Sequence, residues 1–292
     1  MAPPNTKIPG DASDFEVILR IDTNGLKFDW RELWSYRELL FIFIWRDFTA
    51  KYKQTILGPL WFIIQPLLVT VVFTVIFGRV AGLSTDGLPP LLFYQCGQLA
   101  WSYFANNVNS NSAIFVSNAA LFNKVYFPRL VVPLSTLISN LFAFVIQALT
   151  FFAFLVFFKY FLREGAFRMH WGAAFLPLIL VQAAALSLGI GLLCSVLTAK
   201  YRDLVHLLGF FIQVWMYATP VILPLSKFPP HWQWIVALNP MTMIVESFRL
   251  TLLGTGTVRP EYVLCSIVMT CLALAIGLLA FCKMEKTLMD MV

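Results

Sequence analysis

Residues 130–158 read LVVPLSTLISNLFAFVIQALTFFAFLVFF, without one Asp, Glu, Lys or Arg. A helix rises about 1.5 Å per residue, so roughly 20 apolar residues cross the hydrocarbon core of a bilayer. A charge at mid-bilayer costs about 2.5–3.5 kcal/mol, so a charge-free run of this length marks a membrane span. Five further charge-free windows are at least as long as a crossing requires: 54–78, 87–123, 169–199, 204–226 and 262–282. The windows predict six transmembrane helices over about 57–80, 91–112, 131–158, 174–197, 205–223 and 262–282.

The composition points the same way. Hydrophobic residues make up 59% of the 292 and charged residues 12%, against about 45–50% and 25% in a soluble domain. A soluble fold this apolar would leave large patches in water, whereas lipid accepts them. The expected class is an all-α polytopic membrane protein. The net charge of +6 is scattered between apolar runs and forms no basic stripe, which argues against nucleic acid as a partner.

A seventh charge-free stretch, 228–245, contains Pro229, Pro230, Asn239 and Pro240. Proline removes an N–H donor and disfavours helix at the residue before it, so this stretch predicts short pieces instead of a span. Broken helices persist at membrane depth where protein or a watery cavity covers the freed backbone groups. The reading is a re-entrant element over 228–253.

Six spans put both termini on one side. Lys and Arg number 14 on that side and 7 on the other, and the positive-inside rule then makes the termini cytoplasmic. Segment 1–28 carries Asp11, Asp14, Glu16 and Asp22 and no apolar run, unlike a cleaved signal peptide. Segment 283–292 forms the opposite tail. Between them, 29–53 sets Trp30, Leu33, Trp34, Phe41, Ile44, Trp45, Phe48 and Tyr52 at helical spacing with Arg31, Glu32, Glu38 and Lys53 largely opposite. That pattern predicts an amphipathic helix in the interface, either a simple anchor or a working part. Cys96, Cys194, Cys265, Cys271 and Cys282 show no CxxC or metal-ligand spacing and read as plain thiols, with no metal site.

Four local motifs resemble the type-2 ABC exporter permeases for O-antigen, teichoic acid and related polysaccharides. The first is Lys51-Tyr52-Lys53-Gln54-Thr55-Ile56-Leu57-Gly58-Pro59-Leu60-Trp61, followed by Gln65-Pro66. The second runs from Asn118 to Arg129 through Asn123-Lys124-Val125-Tyr126-Phe127-Pro128. The third is Ala199-Lys200-Tyr201-Arg202-Asp203-Leu204. The fourth joins Thr219-Pro220-Val221-Ile222 to Asn239-Pro240-Met241 and Glu246-Ser247-Phe248-Arg249. Together they cover most of the chain after Asp29.

The resemblance implies a homodimer in the bacterial inner membrane, paired with two copies of a nucleotide-binding subunit and passing a lipid-linked polysaccharide along the dimer interface. The chain has no GxxxxGK[ST] loop, so ATP and Mg would be bound by that partner, leaving this chain a transporter subunit with no cofactor and no catalytic residue. Asn123, Lys124, Tyr126, Phe127, Pro128 and Arg129, with Tyr201, Arg202 and Asp203, are the expected ATPase-coupling contacts; their cations would also serve as positive-inside anchors. Arg46, Lys51 and Lys53 are candidates for an anionic lipid-pyrophosphate head group, or for ordinary snorkelling to membrane lipid.

Aromatic walls suit a sliding glycan because they give broad contact without fixed hydrogen-bond geometry. Trp61, Phe62, Phe73, Trp101, Tyr103 and Phe104 are the expected channel-lining set. Asn106, Asn107, Asn109 and Asn111 would bond a glycan or neighbouring helices. Pro230, Trp232, Trp234, Asn239, Pro240, Glu246 and Arg249 are the expected periplasmic gate, with Glu246 and Arg249 three apart on one helical face. A membrane glycosyltransferase would need a carboxylate constellation, but eight of the 15 Asp and Glu precede Lys53. An ion-coupled carrier would need ionisable groups inside the spans, where only His170 and His206 stand, near window ends. A type-2 permease for a drug or small lipid shares the six-span plan and is the nearer alternative.

Overall fold

The computed structural model describes residues 34–52, 56–122, 127–162 and 171–289, and every secondary-structure element among them is helical. The chain order is α1 (Arg37–Tyr52), α2 (Trp61–Phe73), α3 (Pro90–Ser112), α4 (Ile114–Ser117), α5 (Ala119–Phe122), α6 (Val131–Phe157), α7 (Leu176–Lys200), α8 (Leu204–Tyr217), α9 (Pro230–Ala237), α10 (Pro240–Leu253) and α11 (Pro260–Met289). Segments 1–28 and 29–33, with Lys53, Asn123, Lys124, Tyr126 and His170, fall outside the described residues, as does the end of the 283–292 tail after Met289.

Four helices are long and apolar enough to cross a membrane: Trp61–Val80, Val131–Tyr160, Leu176–Lys200 and Pro260–Glu285. The first continues α2 through a π-helical turn, Thr74–Val80. Two of the six expected spans look different. Helix α3 has the length, 23 residues, but a polar sequence, and sixteen of those residues are buried, so it is the central helix on which α2, α6, α7, α8 and α10 pack. Helix α8 stops at Tyr217, short of the expected 223. Pro220 offers no N–H to continue the ladder, and Thr219 turns its hydroxyl back to the Trp215 carbonyl at 3.0 Å.

Lipid tails are as apolar as leucine, so helices in a bilayer associate through close packing and polar contacts instead of hydrophobic exclusion. Both devices are present. A Cβ on Gly277 would run into the Gly189 carbonyl, and one on Gly189 into the Ala273 backbone, so α7 and α11 meet backbone to backbone. Asn140 Nδ2 donates to Asn107 Oδ1 at 2.8 Å, Gln182 Nε2 to Ser266 Oγ at 2.8 Å, and Ser102 Oγ to Gln147 Oε1 at 2.7 Å. Outside this core, Leu68, Val71, Val72, Val75 and Ile76 of α2 and its π-helical extension stay exposed, as a lipid-facing surface should.

Helix α1 departs from the expected single apolar stripe. Phe43 and Ile44 are buried against the bundle while Phe41, Ile42 and Trp45, like Trp34 just before the helix, are exposed. Its inner face packs on α6, with Phe48 edge-on to Phe142 at 5.7 Å. Apolar residues therefore ring the helix: one side meets protein, and the other needs lipid or a further protein surface.

Candidate transport site

At one end of the bundle, α9 and α10 form a pair bent by 106°. Asn239 makes the corner: its Oδ1 accepts from the Met241 N–H at 3.1 Å as an N-cap, its Nδ2 donates to Thr219 Oγ1 at 2.8 Å, and Pro240 follows at the first helical position. Gly254, at φ 75°, ends α10 in the left-handed region that glycine alone enters without strain. Pro230 begins α9 in the same way that Pro240 begins α10.

The side chains of Glu246 and Arg249 are removed from solvent and pair at 2.9 Å, as their spacing predicts. Glu246 Oε1 also accepts from the Leu225 N–H at 3.1 Å, and its Oε2 from the Thr257 N–H at 2.9 Å. Arg249 Nη2 donates to the Val221 carbonyl at 2.8 Å, and the guanidinium lies 3.9 Å from the Phe93 ring centre. One ion pair thus holds the chain before α9, the chain after α10 and the first turn of α3. A buried charge is tolerated when paired and fully hydrogen-bonded, and here most donors and acceptors are matched. Trp232 and Trp234 are half exposed, Trp234 standing edge-on to Tyr262 at 4.8 Å.

At the other end, Thr198 of α7 donates to the Ser112 carbonyl of α3, and Phe115 stacks on Phe281 of α11 at 5.0 Å. Phe127 is buried beside Phe43 of α1, ring centres 5.6 Å apart. The Arg129 N–H donates to Glu285 Oε1 at 3.2 Å, and its guanidinium lies 5.5 Å from the Phe122 ring. Described members of the expected coupling segment are therefore fastened to α1 and α11 together. Tyr201, Arg202 and Asp203 form an exposed connection three residues long between α7 and α8.

Arg46 is not a free cation. Its Nε and Nη2 both bond Asp47 Oδ1, at 3.0 and 2.8 Å, and Nη2 also reaches Asn118 Oδ1 at 3.4 Å. A head group arriving here would meet a guanidinium already engaged by a carboxylate. Lys51 is within α1, but its side chain lies outside the described set, as does Lys53.

The channel-lining expectation divides. Trp61 is 46% exposed and Phe62 half-buried on the outer part of α2. Phe73, Trp101, Tyr103 and Phe104 are buried in the core, Trp101 and Phe104 against Trp215 and Tyr103 against Phe144. Asn107 and Asn111 are likewise buried while Asn106 and Asn109 are exposed. Charge-free windows contain both kinds of aromatic, and no sequence signal separates them.

Sequence reasoning passed over Gln95, Gln98 and Gln147, which line a recess between α2, α3 and α6. Their signal was available as uncharged amides inside spans, where an unmet polar group is costly. Among the described residues no group of three His, Cys, Asp or Glu is placed to hold a metal ion.

Several apolar helices of crossing length, an ion pair sealed among them and cross-helix amide contacts define a multi-pass membrane protein. The sequence pattern of the ABC-2 type transporters matches residues 38–253, and the chain belongs to that family of membrane permeases. It is 28% identical over 248 residues to an O-antigen export system permease protein of Klebsiella pneumoniae, covering 85% of this chain and 92% of the relative. A second Klebsiella pneumoniae protein of that name is 27% identical over 77% of this chain and 84% of its own length. One from Myxococcus xanthus is 27% identical over 75% of this chain and 82% of its own length.

Proposed function

We propose that this permease is the membrane half of an ATP-driven exporter that moves an O-antigen-like, lipid-linked polysaccharide across the bacterial inner membrane. The observation that carries the reading is the likeness, over 82% or more of their lengths, to permeases whose names state O-antigen export. Two copies of the chain form the passage at their interface, each crossing six times with both termini cytoplasmic, and α3 and α8 complete the count. Two copies of a nucleotide-binding subunit bind ATP and Mg and push on Asn123–Arg129 and on Tyr201, Arg202 and Asp203.

Fastening of Phe127 and Arg129 to α1 and α11 supports this route for force, because a displaced coupling segment would carry both helices with it. Pair α9 and α10 is the re-entrant gate on the far side, with Pro230, Trp232, Trp234, Asn239 and Pro240 shaping it and Glu246–Arg249 holding it to α3. Of the expected channel aromatics, Trp61 and Phe62 meet the glycan first, a reading that their greater exposure supports. Lys51 and Lys53 carry head-group attraction with Arg46 in a supporting part.

The test is reconstitution of the permease with its nucleotide-binding subunit in vesicles. Lipid-linked glycan should accelerate ATP hydrolysis and appear on the far side. Stimulation by a small amphipathic drug and none by any lipid-linked glycan would overturn the polysaccharide reading in favour of a drug or small-lipid permease.

A further inference from the structure

A helix leaves its last four carbonyls without partners of its own. Helix α3 ends at Ser112, and the chain turns at Ala113 (φ −92°, ψ 4°) into α4. The Ser112 carbonyl is met from another helix, by the hydroxyl of Thr198 on α7. The other acceptor within reach of that hydroxyl, the Ser195 carbonyl of α7 itself, stands farther off at 3.0 Å. Thr198 is 0% exposed and Ser112 1%, so water does not compete for the bond.

The bond falls where two connections begin. On the α7 side, Gly191, Ser195 and Thr198 share one buried face at helical spacing, and a Cβ on Gly191 would stand 2.7 Å from the Asn111 Cβ. The two backbones thus come close as α3 ends. Two residues beyond Thr198, α7 ends at Lys200 and the exposed connection 201–203 follows. On the α3 side, a run of rings leads away from the same corner: Phe115 of α4 lies 5.8 Å from Phe122 of α5, and Phe122 lies 5.9 Å from Phe127. Close-packed side chains transmit strain with little compression, so a displacement of Phe127 reaches α4 and the corner at Ser112.

We propose that Thr198 is a positioning residue that joins the segment ending at Arg129 and the connection 201–203 into one moving unit. The inference rests on the reading that a nucleotide-binding subunit pushes on both. Given that, a push on either connection arrives at both, and α3 and α7 move together instead of in turn.

The experiment uses the permease with its nucleotide-binding subunit, reconstituted in vesicles. Thr198→Val keeps the shape of the side chain and loses the donor, whereas Thr198→Ser keeps the donor and loses a methyl group. Val should lower glycan exported per ATP hydrolysed by roughly two- to tenfold, one hydrogen bond's worth. Ser should restore it, with co-purification of the nucleotide-binding subunit equal in all three proteins. A residue that only fills space would show the reverse order, Ser being the worse.

A second measurement needs no cargo. Spin labels are attached through Ala120→Cys and Lys200→Cys, both exposed positions, in a chain whose non-buried Cys265, Cys271 and Cys282 are changed to Ala. The labelled chain is diluted into unlabelled chain so that one labelled copy sits in each complex. With Thr198 in place the separation of the labels should be the same with and without ATP and vanadate; in Thr198→Val it should broaden or differ between the two states. Export per ATP unchanged in Val, Ser as impaired as Val, a separation that shifts with nucleotide while Thr198 is in place, or one that stays fixed in Val would overturn the proposal. An unsubstituted complex that exports no glycan, yet shows the fixed separation and its loss in Val, would reject the export reading and leave the joint standing.

Discussion

Arg249 and Glu246 meet at 2.9 Å with side chains 1% and 0% exposed, and no part of that arrangement is independent of the rest. The carboxylate also takes backbone N–H groups of Leu225 and Thr257, and the guanidinium takes the Val221 carbonyl. Removing one partner strands the other charge inside protein, a change costing about 3–5 kcal/mol. Arg249→Met should therefore lower the thermal midpoint in detergent sharply. The double change with Glu246→Gln should recover part of that loss, because no uncompensated charge remains.

Contact between α7 and α11 depends on two missing side chains. Gly277→Leu or Gly189→Leu places atoms where the opposing backbone stands, and overpacking costs about 1–3 kcal/mol or more. Either variant should insert in the membrane yet elute from size-exclusion chromatography as aggregated or loosened protein. Ala at the same positions should be milder, though still destabilising.

Asn140→Leu removes the bond from Nδ2 to Asn107 Oδ1. Cross-helix hydrogen bonds in membranes contribute about 0.6–2 kcal/mol, so the thermal midpoint should fall only slightly. A large loss of export with normal stability would instead mean that this pair serves the passage directly.

Phe127 joins the coupling segment to α1 through Phe43, and the Arg129 N–H joins it to Glu285 of α11. Phe127→Ala and Glu285→Ala should each lower glycan exported per ATP hydrolysed while leaving assembly with the nucleotide-binding subunit intact, as measured by co-purification. Unchanged export per ATP in both variants would separate these contacts from force transmission.

Helix α1 shows how far the chain could be read in advance. Its existence and aromatic content follow from the sequence, but Phe41 and Phe43 look alike there, and one is exposed while the other is buried. The same holds for Trp61 against Trp101 on α2 and α3. Glu246 and Arg249 were legible as a pair because their partnership is local, three residues apart on one helix. Gln95 and Gln98 were not legible as wall residues of one recess, because Thr70 and Thr150 arrive there from two other helices.

Charge-free length and proline placement by themselves determined that this protein lives in lipid, where its long helices run, and where α9 and α10 break. Those features answer to solvent and to backbone chemistry, both local. Which faces turn inward was decided only by the tertiary structure, through Gly189 against Gly277, Asn107 against Asn140, and the Glu246–Arg249 hub. Lipid does not sort apolar residues into inside and outside as water does, so the period of the sequence carries no record of that choice.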